Sequence, residues 1–297
     1  SVYFVATGTA ANALSIASFN KPGGITFCHE NAHVAEDECG AVEYLTGGSR
    51  LSLIPGADGK MDLTTLEKAI ARNPAAFVHG GQPMGITITQ ATEAGTVHAL
   101  DEIRAISAIA KSNNLPLHMD GARFANALVS LGCTPAEMTW KSGVDILSFG
   151  ATKNGCWCAE AIVVFDKALD AQMPFLRKRG AQLFSKSRFI AAQFEAYFEG
   201  DLWLDSARHA NAMATVLAEG IAKSGRARLH TKPQANEVFA ILANADIERL
   251  RAAGAVFYDW HAPSDGSVKH GETMIRLVTS FATRLEEADN LIARIKT

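Results

Sequence analysis

The chain reads as an α/β protein: a mostly parallel central sheet with helices on both faces, followed by a smaller C-terminal α+β domain. Strand-like and helix-like patterns alternate through the first 165 of its 297 residues. The strands are too apolar to face water on either side, the mark of a parallel sheet covered by helices. After Asp166 the pattern changes, and residues 166–224 read as helices without a strand.

Taken in order, Val2–Ala6 is strand-like and Thr9–Asn20 is a small-residue helix halted by Pro22, Gly23 and Gly24. Ile25–His29 is a short apolar strand. Val34–Leu45 is helical, closed by Gly47 and Gly48, and Leu51–Ile54 is a strand before the turn Pro55–Lys60. Asp62 caps a helix over Leu63–Arg72, with Leu63, Leu66 and Ile70 on one face. Strand patterns at Ala76–His79 and Ile86–Thr89 precede a helix over Leu100–Ser112. Leu115–Met119, Asp145–Phe149 and Ala161–Phe165 are strands, with a helix at Ala122–Leu131. The tail offers strands at Glu237–Leu242, Ala255–Trp260 and Thr273–Thr279, and helices at Ile247–Ala253 and Leu285–Ile295. Low-complexity linkers are missing, so a cofactor-binding domain (1–165), connecting helices (166–204) and a small domain (205–297) are expected to pack closely.

Composition removes several classes of function. The 28 Lys+Arg against 31 Asp+Glu leave a net charge of −3, with no basic field for nucleic acid. No apolar run approaches the ~18 residues of a membrane span. The five cysteines are an odd number without a C-x-x-C pair, which fits reduced thiols in a cytoplasmic protein and neither a disulfide frame nor a zinc site. The chain opens at Ser1 directly on a strand pattern, as if an upstream segment were missing.

Three constellations carry chemistry. Gly8-Thr9-Ala10-Ala11-Asn12 lies between a strand and a helix, where small residues and free helix N–H groups receive an anion such as phosphate. A plain βα turn has the same look, and the dinucleotide fingerprint G-x-G-x-x-G is absent, against a nicotinamide dehydrogenase. In Leu117-His118-Met119-Asp120-Gly121-Ala122-Arg123 an apolar strand delivers Asp120 at its C-terminal end, where open α/β sheets bind ligands. A carboxylate there pairs with a protonated ring nitrogen, and Arg123 reaches the same pocket to grip a carboxylate. The alternative is that Asp120 caps the next helix and Arg123 is solvated. In Ser148-Phe149-Gly150-Ala151-Thr152-Lys153-Asn154-Gly155 one lysine sits among small residues after a buried-looking strand. Most lysines are surface groups, but a desolvated amine shifts its pKa and forms imines.

An anion site, a partner for a ring nitrogen and an imine-forming amine are together the parts that hold pyridoxal phosphate. GTAAN, CHENAHVAEDECGA, HMDGAR, the lysine of SFGATKNG, and IRLVTSF near the end occur in the order seen in the low-specificity L-threonine aldolases. The chain resembles that family, part of the β-eliminating-lyase group of fold-type-I, transferase-like pyridoxal-phosphate enzymes, over nearly its whole length.

The resemblance implies roles by position. Lys153 matches the lysine that carries the cofactor, and Asp120 the carboxylate on its ring nitrogen. Gly8, Thr9 and Ala10 match the phosphate cradle, and His33 the histidine stacked on the ring. Arg123 and Arg276 match the arginines that bind the substrate carboxylate. It also implies retro-aldol cleavage of β-hydroxy-α-amino acids to glycine and an aldehyde. A base for the β-hydroxyl proton is then required, with His33 first and Glu93 second. A homodimer or homotetramer with shared sites is implied as well. A β-eliminating lyase or an aminotransferase would use the same cofactor, and a non-catalytic binding module is the bland alternative.

His33 otherwise reads as a core histidine, while Arg276 amid apolar neighbours would be costly unless paired. The chain departs from the family pattern in three places. Gln90–Gly95 places Glu93 where many members have a histidine, and the lysine turn is ATKNG rather than SKGLG. Gly180–Arg188 lacks a glycine-rich run, leaving Lys186 or Arg188 as substitute phosphate contacts.

Overall fold

The computed structural model describes residues 1–262 and 265–297. Its first half is β1 (Val2–Val5), α1 (Gly8–Ala17), β2 (Gly24–His29), α2 (His33–Glu36), α3 (Ala41–Thr46), β3 (Arg50–Ile54), α4 (Leu63–Ala71), β4 (Gln82–Thr89), α5 (Leu100–Ser112), β5 (Leu117–Gly121), α6 (Phe124–Leu131) and α7 (Pro135–Met138). There follow β6 (Ile146–Gly150), β7 (Glu160–Val164), α8 (Met173–Arg179), α9 (Arg188–Phe198) and α10 (Leu202–Ala222). The chain closes with β8 (Ala227–Leu229), β9 (Glu237–Ala243), α11 (Asn244–Ala252), β10 (Tyr258–Trp260), β11 (Glu272–Val278) and α12 (Leu285–Lys296).

Seven strands form one sheet in the order β1-β7-β6-β5-β4-β2-β3. The pairs among β3, β2, β4, β5 and β6 are parallel, and β7 alone runs against its neighbours. Register sets Thr89, Asp120 and Ser148 side by side, so the C-terminal ends of β4, β5 and β6 finish at one level. One face of the sheet packs Leu14 and Ile16 of α1 with Ile146 and Ile162. The other packs Leu66 and Ile70 of α4, Ile103 and Ile106 of α5, and Leu128 of α6. Burying a side chain of this size contributes about 1.5–3 kcal/mol, which the 3.6-residue spacing of α4 and α5 delivers on one face only.

Four antiparallel strands in the order β10-β11-β9-β8 make the second sheet. Helix α10 ties the two sheets together. Trp203 and Ala207 near its start belong to the core of the large sheet, whereas Leu217 and Ile221 near its end pack under the small one.

Two expectations are corrected, and one strand went unforeseen. Ala76–His79 is exposed turn rather than strand, because Pro74 and the pair Gly80-Gly81 bracket too few residues to pair. The helix expected over Val34–Leu45 is two short helices broken at Asp37–Gly40, where Cys39 (φ 52°) and Gly40 (φ 73°) are left-handed. That break turns Glu38 into the interior, where it is 4 % exposed. Strand β8 was not expected at all: three residues give no readable alternation.

Candidate active site

A cavity of about 840 Å³ opens at the C-terminal ends of the parallel strands and reaches the small sheet. Its walls include Gly8, Thr9, His33, Glu93, Asp120, Arg123, Lys153 and Arg276, all named by the sequence. Ala10 lies one residue beyond them in α1. A second, largely apolar groove of about 700 Å³ lies around Phe4, Phe149 and Trp203 and carries no titratable group.

Each polar side chain is held by its local fold. Asp120 ends β5 and is 3 % exposed; its Oδ1 accepts from Ala122 N (2.9 Å) and its Oδ2 from Asn12 Nδ2 (2.7 Å). Asn12 Nδ2 also donates to Glu38 Oε1 (2.8 Å), and Glu38 Oε1 lies 3.0 Å from His33 Nδ1. The bond to Glu38 raises the pKa of His33 above its usual value, and burial raises that of Glu38. With Nδ1 committed to a carboxylate, Nε2 is the ring nitrogen left to act on a ligand.

Glu93 sits on the loop after β4. Gln90 straps that loop by giving Nε2–H to His98 O (2.9 Å) and taking His98 N–H (2.9 Å). Thr92 Oγ1 and Thr96 Oγ1 both donate to Asp58 O. Glu93 Oε1 then accepts the backbone N–H of His33 (2.8 Å). Burial, with the charge of Asp120 second, pushes the Glu93 carboxyl up to about 7.

Lys153 stands in a short turn after β6. Asn154 locks that turn by donating to Tyr197 Oη (2.7 Å) and Trp203 O (2.8 Å), and Thr152 Oγ1 accepts from Ala159 N (3.1 Å). Gly155 closes it at φ 118°, a conformation side chains rarely adopt. The Lys153 chain has solvent access through the cavity it lines, but the protein around it and the charge of Arg123 hold its pKa below the usual lysine value. Glu160, on β7 beside Thr152, is pushed by burial to about 7.

Arg123 follows β5 and Arg276 lies in β11. Both converge on Glu237 at the head of β9: Arg123 Nη2 is 2.8 Å and Arg276 Nη1 3.7 Å from Glu237 Oε1. Arg276 also lies over the Trp260 ring, 4.1 Å from its centroid. The paired, stacked setting is what permits an arginine inside an apolar strand.

At the start of α1, Thr7 Oγ1 takes the N–H of Ala10 (3.1 Å) and Thr7 O that of Ala11 (3.1 Å). That leaves the first-turn N–H groups of Gly8 and Thr9 as the ones able to receive an anion. A Cβ built on Gly8 would meet nothing within 4 Å, so the space there is open. Lys186 and Arg188 are not among the residues that line the cavity; Arg188 lies over the Phe189 ring instead. His29, His98 and His118 are buried and hydrogen-bonded or enclosed, and His79 is exposed.

Sequence reasoning assigned no role of their own to Thr7, Asn12, Glu38, Glu160 and Glu237. A signal existed for two of them. Asn12 closes the GTAAN turn, and Glu237 is a lone acid heading an apolar strand, the pattern that had marked Arg276.

A helix N-terminus beside open space, a carboxylate at a strand end and an amine of lowered pKa fit a flat phosphorylated aldehyde such as pyridoxal phosphate. The fold is that of the fold-type-I pyridoxal-phosphate enzymes. The family model for beta-eliminating lyases matches residues 1–245. The chain is 41 % identical to the low specificity L-threonine aldolase of Pseudomonas aeruginosa, over 99 % of this chain and 82 % of that protein. It is 43 % identical to the enzyme of that name from Pseudomonas sp., over 86 % of this chain and 74 % of the relative. Among solved structures, threonine aldolase from Leishmania major superposes with a TM-score of 0.90 at 29 % identity, covering 100 % of this chain and 83 % of that one. The chain belongs to the beta-eliminating lyase family.

Proposed function

We propose that this protein cleaves β-hydroxy-α-amino acids, L-threonine among them, to glycine and an aldehyde with the help of pyridoxal phosphate. The observation that carries this reading is the convergence of Lys153, Asp120, His33 and the Arg123–Arg276 pair on one cavity at the strand ends. Pyridoxal phosphate held there supplies an aldehyde that condenses with amines and a protonated ring that draws electrons from the bond being broken. Its phosphate suits the N–H groups of Gly8 and Thr9, its ring nitrogen suits Asp120, and Lys153 is the amine that anchors it.

The chain's own residues do the rest. Arg123 and Arg276 grip the substrate carboxylate and so fix the Cα–Cβ bond; orientation of this kind can contribute about 7–11 kcal/mol. Lys153, its pKa lowered by the protein around it, gives up its proton more readily than a surface lysine. His33 Nε2 takes the β-hydroxyl proton as the Cα–Cβ electron pair leaves toward Cα, and a positioned base adds ~10²–10⁴-fold. Glu93 positions that histidine through its backbone N–H, which favours His33 over Glu93 as the base. Cα then takes a proton from solvent to give glycine, and His33 returns its proton to solvent.

Product analysis tests the reading: L-threonine and phenylserine should each give glycine and an aldehyde in equal amounts. A keto acid in place of glycine would assign β-elimination or amino transfer instead. Reduced thiols support a cytoplasmic setting, and an oligomer with shared sites agrees with the resemblance. Among the described residues no helix is long and apolar enough to cross a membrane.

A further inference from the structure

We propose that Glu237 is a specificity-determining residue that limits the substrate site to a single carboxylate. The inference rests on the reading of Arg123 and Arg276 as the carboxylate grip. Two guanidinium groups facing one ligand position would make a doubly cationic site, suited to dianions as well as to an amino acid. Glu237 changes that balance. Its side chain is 1 % exposed, and one oxygen, Oε1, serves both arginines at 2.8 and 3.7 Å. One fixed negative charge against two positive ones leaves room for one more carboxylate.

The geometry keeps Glu237 in that role. It heads β9 and faces Val278 of β11 in register, two residues from Arg276, so the sheet holds acid and base together. Arg123 arrives from the opposite side, on the turn after β5. Buried atoms remain unpartnered on all three groups: Glu237 Oε2, Arg123 Nε and Arg276 Nε. Leftover capacity in a buried cluster is costly; the two Nε–H donors are relieved when a ligand carboxylate enters, whereas Glu237 Oε2, an acceptor like the ligand, is not. Asp37 is the other acid whose charge Arg276 feels, more weakly than that of Glu237.

A second anionic group brought by the ligand meets a cluster already neutralised, and Glu237 repels it in a cavity where charges are poorly screened. Monocarboxylic β-hydroxy amino acids are therefore accepted, and those with a carboxylate side chain are disfavoured. Removing the charge while keeping the shape restores the doubly cationic site.

The test uses holoenzyme and two probes, acetate and malonate, titrated by calorimetry and by displacement of glycine. In the wild type, malonate should bind no more than about threefold tighter than acetate. In Glu237→Gln malonate should tighten at least about tenfold relative to acetate, a factor of ten being 1.4 kcal/mol. Glu237→Asp, which keeps the charge, should retain the wild-type ratio. Equal shifts for both probes in Glu237→Gln, no shift, or a Glu237→Asp ratio matching that of Glu237→Gln would overturn the proposal. If Glu237→Gln does not fold, the wild type still decides, because a malonate preference of tenfold or more contradicts the inference. Calorimetric binding reads the arginines without any cleavage, so a failure of the aldolase reading is seen separately in product analysis.

Discussion

Asn12 Nδ2 lies 2.7 Å from Asp120 Oδ2, and the same amide nitrogen lies 2.8 Å from Glu38 Oε1. One buried side chain therefore couples the carboxylate proposed for the ring nitrogen to the carboxylate that holds His33. In the proposed mechanism the ends of this chain do different work, electron withdrawal and proton removal, and the amide keeps two acids apart while satisfying both.

Asp120→Asn removes the negative charge but keeps the shape. We expect cleavage to fall on the order of 10²-fold, comparable to losing one electrostatic contact to a transition state. Steady-state kcat at saturating cofactor measures it, and unchanged kcat would remove Asp120 from the mechanism. Asn12→Ala should lower kcat less and shift the His33 titration as well.

His33 has a raised pKa because of its bond to Glu38, so it holds its proton to higher pH than a free histidine. The stability from this pair is fully present below pH 6.5 and is lost as pH rises through the folded-state value. A protonated ring cannot accept the hydroxyl proton, so kcat/KM should rise with pH as His33 titrates. Glu38→Gln should move that rising limb to lower pH. A pH profile of kcat/KM identical in the two proteins would assign the base elsewhere.

Glu93 shows the opposite economy of charge. Its carboxyl is pushed from 4.5 to about 7 by burial, so ionising it costs folding energy. Its favourable neutral form is fully present below pH 4.5, and the advantage is lost as pH rises through 7. Glu93→Gln should therefore gain Tm relative to the wild type above pH 7 and show little gain below pH 4.5. Thermal melts across that window check the sign.

Arg276→Lys keeps the charge but loses the flat fork and the stack on Trp260. A lost charge-assisted hydrogen bond is worth about 1.5–3 kcal/mol, so KM for the amino acid should rise by about 10–100-fold with a smaller change in kcat. The same fold-change should appear in the affinity for glycine. A fall in kcat alone would place Arg276 away from the carboxylate.

The alternation of β4, α5, β5 and α6 was legible because parallel strands buried on both faces are short apolar runs and helices such as α5 carry one apolar stripe. Asp120 and Lys153 were legible because each follows such a run, where a polar residue has no packing reason to be. Helices α2 and α3 were read as one because apolar spacing does not register the left-handed pair Cys39–Gly40. Glu38 and Glu237 were hidden for a related reason. An acid among acids, or at the edge of a strand, looks solvated until the partner that compensates it, Asn12 or Arg123, arrives from a distant part of the chain.

The proposed mechanism begins with the Lys153 amine condensed with the aldehyde of pyridoxal phosphate. Borohydride reduction of the coloured protein, followed by peptide mapping, measures it directly. One reduced adduct is expected, on Lys153, with its loss in Lys153→Ala together with nearly all cleavage. An adduct on another lysine, or none, would exclude Lys153 from that role.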